Sequence, residues 1–171
     1  QEFKVLPSVI STEKAGVIAK DYAEANYKNF TSKNMQMISN RLYDRGAGGQ
    51  DYLFGWAEEN AGAYTLNRVY VSVNAYTGDI ISYLAKERTI TASLKPEIKK
   101  TGAIDIAIGQ FRGITSPRAD ATLSVICLDP GVQRLAWIVD VNGERKDDLA
   151  QGGQVLVDAL NGEVILFNPF N

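Results

Sequence analysis

Acidic side chains are the residues of this chain best suited to acid–base chemistry, because the sequence contains no histidine. That absence excludes Ser-His-Asp and Cys-His nucleophiles, and also histidine-based zinc sites. Two adjacent carboxylate pairs, Glu58-Glu59 and Asp147-Asp148, have the residue types that glycoside hydrolysis needs. Because successive strand residues point to opposite faces, we interpret both pairs as solvated acids. We predict no catalytic residue and expect that the chain is not an enzyme.

A second acidic group in the latter half of the chain has oxygen ligands of the kind that Ca²⁺ prefers: Asp140, Glu144, Asp147 and Asp148. These residues lack the spacing of an EF-hand loop, and Arg145-Lys146 lies among them. The stretch RGAGGQ (45–50) lacks the Gly-Lys-Ser/Thr ending of a phosphate-binding loop, and we interpret it as a mobile connection between strands. We therefore predict no metal site, no cofactor-binding residue and no cofactor.

The single cysteine and the tryptophans are interpreted as core residues. Cys127 lies in the apolar run LSVICL, and without a histidine to lower its pKa we expect a small buried side chain. Trp56 and Trp137 occupy comparable strands and are expected to fill the core beneath a helix. Together with Tyr52 and Tyr64 they could instead serve an interface, because Tyr and Trp bury a large area and keep a polar tip.

Charge and hydropathy limit the classes of partner. Up to Ala92 the chain has 10 basic and 10 acidic residues, and after it 8 and 10, so neither half has the basic excess of a nucleic-acid-binding protein. The longest run without charge, Val69 to Gly78, has ten residues, whereas a membrane-spanning helix needs about 20. Because the chain begins with Gln1, we expect a processed or truncated product, in which any export signal or anchor would already have been removed. Membrane contact is expected only through such an anchor.

An internal repeat is the strongest pattern in the sequence. VSVNAYTGDIISY (71–83) aligns without a gap with VLVDALNGEVILF (155–167), and five of thirteen positions are identical. The alternating valines predict a strand, and Thr77-Gly78 and Asn161-Gly162 predict turns, because glycine readily adopts a positive φ. Each segment is therefore predicted to be a β-hairpin.

Similar elements precede each hairpin. Two apolar stripes with i, i+3, i+4, i+7 spacing predict helices, the first capped by Ser11 or Thr12 and the second with Pro96 in its first turn. The stripes are Ala15, Ile18, Ala19 and Tyr22, and Ile104, Ala107, Ile108 and Phe111. Further strands are predicted over Met35–Tyr43, Asp51–Glu58, Thr122–Leu128 and Gln133–Val141, with a linker over Ala85–Lys95.

The expected fold is α+β, with two repeated units over residues 1–88 and 89–171. Each unit is predicted to have one helix packed on its own four-stranded antiparallel sheet. Both would bury an aliphatic stripe against a β face.

The hairpin pattern V-x-V-[ND]-A-x-x-G-[DE]-[IV] resembles the closing hairpin of the PepSY module. With LFGWAEE (53–59) ahead of VYVSVNAYTGDIISY (69–83), the tandem arrangement is most similar to the YcdB/YcdC repeated domain, a PepSY-like family. The resemblance implies a cystatin-like helix on an antiparallel sheet, no catalytic residues and a location outside the cytoplasm. The chain departs from the pattern at VNGERKDDLAQGGQ (141–154), a longer loop before the last hairpin.

Three functions are compatible with these features. The resemblance favours a non-catalytic module that binds a protein or peptide partner at the cell envelope, with inhibition or regulation of a peptidase as the role it implies. The alternatives are a structural spacer within a larger surface protein and a domain that binds a small molecule between helix and sheet.

Overall fold

A computed structural model describes residues 9–46, 49–145 and 149–170 of the chain. Its helices and strands follow in this order: α1 (Thr12–Asn26), β1 (Met35–Asp44), β2 (Gln50–Asn60), β3 (Ala63–Asn74), β4 (Ile80–Lys86), α2 (Lys100–Ile108), β5 (Arg118–Ile126), β6 (Arg134–Asn142), β7 (Gly152–Asp158) and β8 (Val164–Pro169). Within these ranges no helix has the length and hydropathy to cross a membrane.

The strands form one eight-stranded sheet in the order β1-β2-β3-β5-β6-β7-β8, with β4 also paired to β3. The prediction of two repeated units, each with one helix on its own four-stranded antiparallel sheet, is therefore wrong. The second half of the twelve-residue strand β3 pairs with β4, whereas its first half pairs in parallel with β5 at Tyr64 and Ser124. A strand edge left unpaired keeps backbone N–H and C=O groups unsatisfied. A sequence repeat predicts the local helices and strands, but it does not show that strands of the two repeats pair with each other.

The chain divides into two compact units. The first unit comprises the chain up to Glu59 together with Leu66–Arg88, and the second comprises Asn60–Thr65 together with the chain from Thr89 onward. Each unit has its own helix and its own cluster of buried apolar residues. Strand β3 therefore contributes to both units.

Helix α1 begins as the sequence predicts. The Ser11 side chain accepts a hydrogen bond of 3.2 Å from the backbone N–H of Lys14, which satisfies one of the free donors at the helix start. Ala15, Ala19 and Ala23 are buried on one face of the helix. They pack in a core to which β2 and β3 contribute the following side chains: Tyr52, Phe54, Trp56, Val69, Val71 and Val73.

Helix α2 is shorter than its sequence pattern predicts. It begins at Lys100, with no side-chain cap from Lys99, so the placement of Pro96 in its first turn is wrong. Phe111 is also outside the helix, which ends at Ile108. Ala103 and Ala107 are fully buried against an aliphatic core of Ala121, Val139, Val141, Val155 and Val157.

The two predicted hairpins are confirmed, and they have the same geometry. Val71 pairs with Tyr83 in one, and Val155 with Phe167 in the other. The Asn74 carboxamide oxygen accepts from the backbone N–H groups of Tyr76 and Thr77, at 2.9 and 3.0 Å. In the other turn the Asp158 carboxylate accepts in the same way from Leu160 and Asn161, at 2.8 and 3.2 Å. Gly78 and Gly162 have φ of 80° and 79°, which explains the glycine in both turns.

Three smaller predictions need correction. Cys127 is half-buried, because it lies just past the end of β5 and its thiol contacts the Asp129 carbonyl oxygen at 3.2 Å. Strand β5 begins four residues before the predicted Thr122. The predicted linker also contains strand, because β4 continues through Lys86.

Candidate functional site

Strand β1 lies at one end of the sheet and is the longest exposed strand edge among the described residues. All but two of its ten residues are exposed, including four large apolar side chains: Met37, Ile38, Leu42 and Tyr43. An exposed edge of this kind attracts other strands, so proteins normally shorten it or interrupt it. Strand β8, at the other end of the sheet, has only six residues and contains Pro169, which has no N–H to donate.

The pairing with β2 determines which side chains of β1 lie on the same side of the sheet as α1. Met37 is opposite Trp56, and Leu42 is opposite Tyr52, so both lie on the face that carries the aromatic core. The register shifts between Met37 and Ser39, which indicates a β-bulge at Ile38. The bulge places Asn40 opposite Phe54 and keeps it on that face.

A groove runs between α1 and β1 in the first unit. It has a volume of about 300 Å³, at the lower limit of small-ligand sites. Its lining combines apolar and polar side chains: Thr12, Glu13, Gly16, Val17, Lys20, Met37, Asn40 and Phe54. Val17 is 60% exposed. We refer to this site as the α1–β1 groove.

Gly16 leaves room at the floor of the α1–β1 groove. A Cβ atom at this position would lie 3.4 Å from the Phe54 ring, an ordinary van der Waals contact. Without it, the edge of the ring remains part of the groove surface although Phe54 is only 1% exposed overall.

Opposite charges line the α1–β1 groove along the helix. Hydrogen bonds from its own backbone N–H and from the Ser11 hydroxyl lower the pKa of Glu13, which keeps it anionic at neutral pH. Lys20 is seven residues further along α1, a distance of about 10 Å at 1.5 Å per residue. It also pairs with Glu24 at 3.5 Å on the helix surface.

The acidic residues singled out from the sequence do not form a site in the described part of the chain. Glu58 accepts a hydrogen bond of 2.6 Å from the Asn67 carboxamide, and Asp140 accepts one of 2.9 Å from Gln154. Asp147-Asp148 lies outside the described residues. Among residues 9–46, 49–145 and 149–170, no group of three potential metal ligands comes together.

Of the aromatic residues singled out from the sequence, some are buried in the core and others are partly exposed. Trp56 is buried at 3% exposure, as predicted, and its ring packs on Phe54 with centroids 6.3 Å apart. Trp137 is only partly buried, and its indole N–H donates to the Ile98 carbonyl oxygen at 2.8 Å. Tyr52 is buried, and its hydroxyl donates to the Ile10 carbonyl oxygen at 2.9 Å. None of these three lines the α1–β1 groove.

The sequence pattern did not predict β1 as a site. MQMISNRLYD has large apolar residues at both odd and even positions, with no consistent polar face. The β-bulge at Ile38 accounts for this pattern, because it places Met37 and Leu42 on the same face although one position is odd and the other even.

Comparison with known proteins adds a likeness of fold. The chain matches no protein-family model, and no curated protein resembles it in sequence. Among solved structures it is similar to the Bacillus megaterium YpeB C-terminal domain, with a TM-score of 0.55 at 16% sequence identity. The match covers 100% of this chain and 70% of that one. The likeness supports a PepSY-like fold, and at this identity it is evidence of fold alone.

Proposed function

We propose that this chain is a non-catalytic PepSY-like module that binds an extended segment of a protein partner along β1. The observation that carries the proposal is the ten-residue edge strand with four exposed large apolar side chains beside the α1–β1 groove. An exposed strand edge can accept an additional strand, whose main-chain hydrogen bonds provide affinity independent of sequence.

Specificity would come from the side chains of the added strand. Alternate residues of an extended segment point to the same face, so every second side chain would lie on the α1 side of the sheet. An apolar side chain there would contact Val17, Met37 and Phe54 in the α1–β1 groove. A basic residue near Glu13 and an acidic one near Lys20 would complement the charges that line the helix.

The proposed partner is a peptidase outside the cytoplasm, which this module would inhibit or regulate. The support for this role is the resemblance of the two hairpins to PepSY modules, together with a fold like that of the YpeB C-terminal domain. The narrower assignment to the YcdB/YcdC repeated-domain family stays a prediction from the sequence.

Selection from a display library of random linear peptides tests the binding surface. We expect selected peptides to have alternating apolar residues and to lose roughly tenfold or more in affinity for Val17→Glu or Met37→Glu, because a charge buried against an apolar peptide side chain is costly. Backbone N-methylation of the peptide should also weaken binding, because it removes donors that pair with the strand edge.

Val132→Glu is the matched control, because Val132 is also an exposed valine, at 52%, and lies in the second unit. The proposed surface would be rejected if Val132→Glu lost as much affinity as Val17→Glu. It would also be rejected if no peptide were selected, or if N-methylated peptides bound as well as the parent.

Hydrolysis by a co-encoded peptidase tests the regulatory role. We expect wild-type protein to slow hydrolysis of a peptide substrate, and Val17→Glu to do so less. If a saturating concentration of this protein left hydrolysis unchanged, the regulatory role would be contradicted. The proposal of peptide binding would then be judged by the display selection alone.

A further inference from the structure

A second cavity lies in the second unit, past the C-terminal end of α2. Its volume is about 400 Å³, within the range of small-ligand sites. Three phenylalanine rings contribute to its walls, from Phe111, Phe167 and Phe170. The remaining lining residues are Gln110, Arg112, Ile114, Ala150, Gln151, Gly152 and Pro169. We refer to this site as the α2 pocket.

The aromatic wall of the α2 pocket is built from two segments. The rings of Phe111 and Phe167 have centroids 5.0 Å apart at an interplanar angle of 64°, an edge-to-face contact. Phe170 is held by its backbone N–H, which donates to the Gly152 carbonyl oxygen at 2.8 Å. Its side chain is 49% exposed, so a ligand could bury much of this ring.

Backbone packing holds the base of the α2 pocket in place. Gly152 has φ of 127°, and a Cβ atom there would lie 2.0 Å from the Val141 carbonyl oxygen. Only glycine fits this position, so β7 can approach β6 closely where it borders the pocket.

Two hydrogen-bond donors in the α2 pocket have no partner within the described part of the chain. The Arg112 guanidinium is exposed and forms no ion pair or hydrogen bond with residues 9–46, 49–145 or 149–170. The Gln151 side-chain oxygen accepts from the Thr115 backbone N–H at 3.1 Å. That bond directs the NH₂ group of Gln151 away from Thr115 and leaves its donors available.

We propose that the α2 pocket binds a small carboxylic acid that carries a bulky apolar group. The carboxylate would accept hydrogen bonds from Arg112 and Gln151, because a guanidinium is a preferred partner of a carboxylate. The apolar group would pack against Phe111, Phe167 and Phe170. The size of the pocket matches one small molecule, and its positive charge is complementary to an anion. This site is separate from β1 and does not depend on the proposed peptide binding.

Titration of the full chain with phenylpropionate, followed by NMR chemical shifts, tests the proposal. We expect shifts at Phe111, Gln151 and Phe167, and binding at least roughly tenfold weaker for the methyl ester, which lacks the charge that Arg112 would pair with. Equal affinity of acid and ester would overturn carboxylate recognition. Tighter binding of an acetylated peptide that ends in phenylalanine would overturn a small molecule as the occupant.

Arg112→Gln should weaken phenylpropionate binding by roughly tenfold, because a hydrogen bond to a charged group is lost. Arg118→Gln is the matched control, since Arg118 is an exposed arginine of the same unit outside the pocket lining. Phe167→Ala should also weaken binding through loss of the aromatic wall. Equal effects of the two arginine substitutions, or no chemical-shift change with wild-type protein, would overturn the site.

Discussion

The α1–β1 groove of the first unit and the α2 pocket of the second are both next to a helix, but at different places along it. Helix α1 has 15 residues and a side-chain cap, so it extends along the sheet and leaves a groove at its side. Helix α2 has nine residues and no side-chain cap, and the pocket lies beyond its last turn. Phe111 lines this pocket because the helix has already ended at Ile108. A difference in helix length therefore changes the kind of cavity that a helix and a sheet enclose.

The two cores also differ in composition. In the first unit the floor beneath α1 is aromatic, with Tyr52, Phe54 and Trp56 on successive same-face positions of β2. In the second unit the corresponding layer beneath α2 is valine, from Val139, Val141, Val155 and Val157. Large rings fill more space per residue, so loss of one aromatic side chain from the first core removes more buried surface than loss of one valine from the second.

The largest loss of stability is expected from a substitution of Phe54, which is 1% exposed and packs between Tyr52 and Trp56. Phe54→Ala should lower the free energy of unfolding by about 3–5 kcal/mol, because it removes a whole buried ring. Val157→Ala should lower it by about 2 kcal/mol, because it removes fewer buried carbon atoms. Each unit has one tryptophan, so urea unfolding followed by the fluorescence of Trp56 reports the first unit and that of Trp137 the second. Equal losses from the two substitutions would contradict the difference between the cores.

A smaller difference in stability is expected between the two hairpin turns. Asn74 and Asp158 make the same backbone contacts in these turns. Burial raises the pKa of Asp158, but hydrogen bonds from two backbone N–H groups and from the Arg134 guanidinium outweigh burial and lower it. Because the pKa is lower in the folded state, the ionised carboxylate stabilises the protein above the unfolded pKa. That stabilisation is lost as the pH falls through the folded pKa.

We therefore expect Asp158→Asn to cost about 1–3 kcal/mol at neutral pH, since it removes the charge that pairs with Arg134 at 2.7 Å. The difference from wild type should shrink as the pH falls below the ordinary carboxyl pKa and toward the lowered pKa of folded Asp158. Urea midpoints measured across acidic and neutral pH test the prediction, with Asn74→Ala as the comparison at the equivalent uncharged position of the other turn. A cost that stayed constant with pH would show that the charge of Asp158 does not contribute.

The smallest expected effect is at Gly16, a glycine inside α1 whose added Cβ would meet the Phe54 ring at an ordinary contact distance of 3.4 Å. Gly16→Ala should raise the free energy of unfolding by about 0.5–1 kcal/mol, because alanine loses less backbone entropy in a helix. Thermal unfolding of the variant measures this gain. A loss of stability would show that α1 packs too closely on Phe54 to accept a methyl group.

Local signals in the sequence predicted much of the first unit. The Ser11 cap, the Ala15–Ala19 stripe and the strands β1 and β2 depend on contacts between near neighbours, and the structure places them within one or two residues of the prediction. The start of α2 was misjudged because Pro96 is an acceptable first-turn residue but does not itself form a helix. The α2 pocket was not predicted, because Arg112 and Gln151 are far apart in sequence and meet only through the tertiary fold.

By itself, the sequence determined the two hairpins, since Asn74 with Gly78 and Asp158 with Gly162 form turns through bonds within a few residues. Only the tertiary structure decided that β3 pairs with β5, that the strands form one sheet and that β1 remains at its edge. The reason is physical. A turn depends on the conformational preferences of its own residues, whereas strand order depends on which backbone edges meet, and nearly any sequence can supply the N–H and C=O groups that join them.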